Sequence, residues 1–101
     1  MFPQIQVGNV VLIECPQRWY LGRVKERGNV TCTLEDVAAI HQIGDLGRFM
    51  DGYITSSTEV TPLPGLKDIN YAAIQGVDLM DEEKLVRLRV RTNAVEADKV
   101  L

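Results

Sequence analysis

The sequence predicts a mainly β domain, a small and strongly bent sheet or barrel of about five strands with little helix. Three observations predict it. Residues Trp19–Ile40 alternate apolar and polar side chains along two arms with Gly28-Asn29 between them, the pattern of a β-hairpin. Val10-Val11-Leu12-Ile13 is an apolar run rich in β-branched residues, bounded by Gly8-Asn9 and Pro16, which suits a short strand covered on both faces. Glycines and prolines then cut the middle of the chain into short pieces, at Gly44, Gly47, Gly52, Pro62 and Pro64.

Each element follows in order. Phe2–Asn9 reads as a lead-in to the first strand. Residues 25–29 form the turn of the hairpin, where Gly28 and Asn29 tolerate the positive φ of tight turns. On the hairpin, Leu21, Val24, Val30, Cys32 and Leu34 are expected on one side, with Arg23, Lys25, Thr31, Thr33 and Glu35 on the other. Val37–His41 is read as a further short strand or the first turn of a helix. Residues 44–52 are read as a loop with one helical turn at Leu46–Met50, because glycine disfavours a longer helix. Thr55–Thr58 is polar, and residues 61–65 form a rigid break. Ile69–Met80 is read as one long extended segment, with Gly76 marking a bulge or a close backbone approach. Two periods compete over residues 84–92. Val86, Leu88 and Val90 alternate with Arg87, Arg89 and Arg91, as in a strand, while Asp81-Glu82-Glu83 suits the first turn of a helix. The strand is preferred for its β-branched inward positions. Residues 1–93 are expected to form one domain and 94–101 a flexible tail. The sum resembles an Sm-like or SH3-like barrel, whose open edges are expected to be closed by a second copy of the chain.

Composition narrows the function. A chain of 101 residues, 46% hydrophobic and 25% charged, is one ordinary globular domain. The net charge of −3 argues against a general nucleic-acid coat, which needs a basic field. No segment is long and apolar enough for a membrane span, and the first residues lack a signal peptide's charged and apolar regions. The expected compartment is the cytoplasm. Cys15 and Cys32, the two cysteines, sit inside extended apolar patterns and read as buried thiols. One histidine, His41, and two distant cysteines make no metal-ligand spacing, and no cofactor is expected. No Ser-His-Asp set or Cys-His pair can be assembled, so the expectation is a protein that is not an enzyme.

Several short motifs run together in this chain: Val11-Leu12-Ile13, Gly22-Arg23-Val24, Leu34-Glu35-Asp36-Val37-Ala38 and Gly47-Arg48-Phe49. This series resembles short phage and prophage proteins of unassigned function over about half the chain. Those are loosely similar, in size and layout, to β-rich phage proteins that sequester cyclic nucleotide signals of bacterial defence. The resemblance implies a host-cytoplasmic, non-enzymatic oligomer that binds a small nucleotide-like anion between subunits.

Three groups of residues are the candidates for that binding. Gly47 lies in a glycine-rich loop whose amides can cradle a phosphate, with Arg48 to pair with it and Phe49 to stack on a base. Arg87, Arg89 and Arg91 would share one face of a strand and attract phosphates. Trp19 and Tyr20 point to opposite sides of their strand, so one of them is an outward stacking platform or interface anchor. Each group also has a plain structural reading: a capping turn with Phe49 in the core, a solvated arginine face matched by Asp81–Glu83, and an aromatic pair in core or interface. Two other functions remain open at this point, an Sm-like module for single-stranded nucleic acid and a structural virion or scaffold protein.

Overall fold

The computed structural model describes residues 2–41, 49, 53–54, 59–90 and 99–100. The fold is mainly β, as the sequence predicts. Its strands are β1 (Val10–Glu14), β2 (Trp19–Arg27), β3 (Thr31–His41), β4 (Tyr53–Ile54), β5 (Glu59–Pro62), β6 (Lys67–Asn70), β7 (Gly76–Leu79) and β8 (Lys99–Val100). A 3-10 turn, Tyr71–Ala73, joins β6 to β7, and one helix, α1, spans Glu82–Val90. Six strands form one antiparallel sheet in the order β5-β3-β2-β1-β7, with β6 also paired to β3. Among the described residues its outer strands do not pair with each other, so the sheet is bent but not closed into a barrel. β4 and β8 pair separately, Tyr53 opposite Val100.

The bend is built into β3. Its first half pairs with β6, Cys32 opposite Ile69, and its second half pairs with β5, Ile40 opposite Val60. Between the halves the register against β2 shifts, from Arg23↔Glu35 to Leu21↔Ala38, so β3 carries one residue more than β2 across this interval. Asp36 lies in the shift with φ 51, the left-handed conformation that a short polar side chain tolerates best among L residues. Gly22 faces it. A Cβ on Gly22 would come within 3.1 Å of the Glu35 carbonyl oxygen and of Leu34 Cβ, a tight fit that favours glycine where the strands approach.

The bulge reverses the parity of β3, and both faces of the sheet are buried as a result. One core collects Val10, Leu12, Leu21, Ala38, Ile40, Phe49, Val60 and Leu85. The other collects Ile5, Val11, Ile13, Val24, Cys32, Leu34, Val37, Ile69, Ile74 and Val77. Ile69 on β6 and Val77 on β7 meet in this second core although they stand at opposite ends of the strand path, so the sheet curls around it. β1 serves both cores, as its unbroken apolar run predicts. The lead-in packs as well. Ile5 is fully buried, and Val24 exchanges backbone hydrogen bonds with Gly8 and Asn9 at 2.9 Å.

Four smaller expectations are corrected first. The hairpin does not have one apolar side: Leu21 and Val24, three residues apart, fall in opposite cores, and Val30 is exposed in the turn. The turn is residues 28–30 and Gly28 has no positive φ; glycine is needed there because a Cβ would meet the Thr31 carbonyl oxygen at 2.9 Å. Ile69–Met80 is not one extended segment, because Asn70 caps a 3-10 turn by accepting the Ala72 amide at 2.8 Å. Pro62, expected in a rigid break, ends the edge strand β5, where a missing donor is tolerated.

The largest correction is residues 84–92. Glu82–Val90 is a helix, so the acidic start outweighs the alternating pattern. The Asp81 carboxylate accepts the Glu83 amide at 3.0 Å as a cap, Glu82 and Glu83 complement the helix dipole, and Leu85 plugs the first core. Val37–His41 is the continuation of β3 rather than a helix. The expected loop at 44–52, Phe49 excepted, the polar stretch 55–58, and 94–98 and 101 of the expected tail lie outside the described residues.

Arg23 ties these pieces together. It pairs with Asp36 at 2.5 Å, with Glu35 at 3.5 Å, and with both carboxylate oxygens of Glu82 at the start of α1. Its guanidinium pKa is pushed further up by the hydrogen bonds to Glu82 and Asp36. The carboxylates are partly exposed, so the clasp is screened and each pair is worth at most about 1 kcal/mol. Two substitutions separate core from clasp. Val24→Asp should abolish folding, because it leaves an unpaired charge in the second core. Arg23→Gln should lower stability by about 1 kcal/mol at low salt and by less at high salt, read from urea denaturation midpoints. Equal losses in the two variants would contradict the burial of Val24 and the exposure of the clasp.

Candidate functional site

The sequence candidates divide once they are placed. Phe49 is fully buried in the first core, with Leu12, Leu21, Ile40 and Leu85, so its ring offers no face to a ligand. Gly47, Arg48 and Arg91 lie outside the described residues. Arg87 and Arg89 are on α1, a helix rather than the expected strand, and their side chains lie outside the described ones. Trp19 and Tyr20 do take opposite sides of β2: Trp19 packs against the first core and Tyr20 against the second. Both are half-buried, so neither stands free of the fold.

Tyr20 borders two adjoining hollows. The larger, of about 530 Å³, is lined by Cys15, Pro16, Gln17, Arg18 and Tyr20. The smaller, of about 180 Å³, is lined by Cys15, Tyr20, Lys67, Asp68, Ile69, Asn70 and Ala73. Together they make one groove, walled by the β1–β2 turn on one side and by β6 with its 3-10 turn on the other. The β1–β2 turn is held by the Cys15 amide donating to the Arg18 carbonyl at 3.0 Å. The bend in β3 supplies the opposite wall, since it is the first half of β3 that carries β6, with Lys67 opposite Leu34.

The groove has a defined set of polar groups. Lys67 Nζ stands 5.3 Å from the centre of the Tyr20 ring, within range of a cation–π attraction. Among the described residues neither Lys67 nor Arg18 forms an ion pair. Asp68 is the one carboxylate in the lining, and its Oδ1 accepts the hydroxyl of the buried Thr33 at 2.5 Å. Asn70 spends its side-chain oxygen on the Ala72 amide. The groove thus offers an aromatic surface and two cations, while the Asp68 side chain follows Thr33 to the face of β6 opposite Lys67 and Ile69. Apart from Tyr20 none of these residues stood out in the sequence. They come from two separate stretches, 15–20 and 67–73, and only the curl of the sheet brings these together.

Other chemistry is sparse. No cluster of His, Cys, Asp and Glu suited to a metal ion occurs among the described residues. His41 ends β3, half-buried, opposite Glu59. Among the described residues no helix is long and apolar enough to cross a membrane. No protein-family model matches the chain, and neither a curated protein nor a solved structure matches it.

Both cysteines are free, as expected, with Cys32 buried and Cys15 half-buried in the groove wall. Burial pushes both thiol pKa values up. Lys67 pulls Cys15 part of the way back, and the Cys15 and Asp68 charges add to the rise at Cys32. A raised thiol pKa means that the folded state holds its proton more tightly than the unfolded chain. Stability is therefore retained below the ordinary thiol range, about 8.5, and lost as pH climbs through it. Denaturation midpoints should fall between about pH 8 and pH 10, and Cys32→Ala, though less stable overall, should show a shallower fall. Iodoacetamide should modify Cys15 slowly at neutral pH and faster as pH rises, and should reach Cys32 only on unfolding. Rapid modification of Cys32 in the folded protein would contradict its burial.

Proposed function

We propose that this chain is a non-enzymatic binding module, a partly open Sm-like or SH3-like barrel that holds a small nucleotide-like anion in the groove around Tyr20. The observation that carries the reading is Tyr20 itself. It is the one half-buried aromatic ring that borders both hollows, with a cation over it and a second cation, Arg18, on the adjoining wall. Aromatic rings hold nucleobases by stacking, and unpaired cations hold phosphates. The larger hollow falls in the ordinary size range of ligand pockets, roughly 300–1,000 Å³. The barrel assignment is supported by the path β7-β1-β2-β3-β6, with a 3-10 turn between β6 and β7.

The ligand class is the one implied by the resemblance to phage proteins that sequester cyclic nucleotide signals. Phage origin and an anti-defence role in the host cytoplasm belong to the same proposal. The site differs from the sequence expectation, for the groove is walled by a single chain and uses neither Phe49 nor an arginine stripe. Self-association remains part of the reading, because among the described residues β7 pairs only with β1, and β5 and β6 pair only with β3, which leaves edges without a partner there. Light scattering at micromolar concentration should then show at least a dimer, and a strict monomer would remove that part.

Calorimetric titration of a panel of cyclic and linear nucleotides tests the site. Tyr20→Ala should weaken binding by about 1–3 kcal/mol through lost stacking. Lys67→Ala should weaken it by about 1.5–3 kcal/mol through a lost charge-assisted hydrogen bond. Bound ligand should also slow the alkylation of Cys15. Wild-type heats equal to buffer for every nucleotide would retire the reading.

A further inference from the structure

Lys67 stands over the Tyr20 ring, the surface on which a base would stack, and its place there is fixed by register. It lies opposite Leu34 and alternates along β6 with Asp68, so it shares a face with Ile69 of the second core, against which Tyr20 also packs. From that face its ammonium comes to 5.3 Å from the ring centre. The same charge opposes the rise that burial gives the Cys15 thiol pKa, which sets it toward the wall that carries Cys15. Among the described residues no carboxylate pairs with it. Asp68, its neighbour in sequence, accepts the Thr33 hydroxyl on the opposite face of β6. The ammonium has three donors and no acceptor, and the electron-rich ring face is the partner it has found.

A base that stacks on the ring at this place must displace the ammonium. A nucleoside then leaves the charge with nothing in exchange for the ring. A nucleotide supplies a phosphate, which accepts charge-assisted hydrogen bonds from Lys67 and from Arg18 on the adjoining wall. We infer that Lys67 gates the Tyr20 ring and makes the groove select phosphorylated nucleotides against nucleosides: the ammonium covers the ring until a phosphate draws it off. The inference rests on the reading of the groove as a nucleotide site and gives Lys67 two opposed roles there, excluding one ligand and anchoring the other.

The experiment titrates AMP, UMP, adenosine and uridine into the wild type, Lys67→Ala and Lys67→Arg. Removal of the ammonium should move the two kinds of ligand in opposite directions. Lys67→Ala should bind the nucleotides roughly ten-fold or more weaker than the wild type does. It should bind the nucleosides roughly two- to five-fold tighter, since the ring is no longer covered. A side chain that merely supported the groove would weaken both kinds when removed. Lys67→Arg keeps a cation that can lie on the ring and pair with phosphate, so it should keep the preference for nucleotides. In the wild type, nuclear Overhauser contacts between the Lys67 Cε protons and the Tyr20 ring should be present in the free protein and vanish at saturating AMP or UMP. Nucleoside binding that is unchanged or weaker in a folded Lys67→Ala would overturn the inference while leaving the groove as the nucleotide site. So would ring contacts that survive saturation. If neither nucleotide binds the wild type, the groove reading fails and this inference fails with it. The ring contacts need no variant, so the test stands even where a substitution unfolds the chain.

Discussion

The bend of β3 at Asp36 is the constraint on which the rest of the structure depends. A flat β3 would pair with one partner on its outer side, but the bulged strand pairs with β6 and then with β5. Three features make the bulge tolerable. Asp36 accepts a left-handed φ of 51, Gly22 lets the strands approach, and Arg23 reaches across to hold the Asp36 carboxylate. Left-handed backbone at a non-glycine residue is unfavourable by about 1–2 kcal/mol. The offset comes from burial on either side, because the parity change lets Leu34 and Val37 fill one core while Ala38 and Ile40 fill the other.

The same bend fixes the groove. The first half of β3 carries β6, and Lys67 with it. Lys67 then meets Tyr20 from β2, while Thr33 on β3 meets Asp68. The groove is set by a sheet on one side and by a short, hydrogen-bonded turn on the other, so its polar groups stand on fixed backbone.

How far this could be read from the sequence follows from the range of each interaction. The hairpin, the two-faced burial of β1 and the opposed directions of Trp19 and Tyr20 are consequences of local periodicity, and they were legible. The bulge was not. Nothing local marks Asp36, whose left-handed φ falls where β3 shifts register against β2 and where Arg23 reaches its carboxylate. Reading β3 as unbroken alternation leaves Arg23 as a plain outward residue, whereas Leu21 and Val24, three residues apart on β2, are separated by the regular two-residue period itself. The helix at Glu82–Val90 is hidden in the sequence for a different reason. Its alternating arginines and β-branched residues favour a strand, but capping by Asp81 and the ion pair of Glu82 with Arg23 decide the matter, and the second of these is long-range. Phe49 looked functional for its neighbours Gly47 and Arg48, yet a large apolar ring is most stable where a core needs filling.

The charge distribution bears on what such a groove can hold. The chain is acidic overall, at −3, and the Arg23 clasp gathers three carboxylates around one guanidinium. Arg18 and Lys67 stand apart from that cluster without ion-pair partners among the described residues. At physiological salt, charges more than about 8 Å apart are largely screened. An anion small enough to lie within the groove therefore feels Arg18 and Lys67 more than the acidic remainder. A polymer that runs beyond the groove gains two cations and then meets a surface of the opposite preference, with few counterions to release. The local field thus favours a small ligand over a nucleic-acid strand, although each would use the same ring and the same two cations.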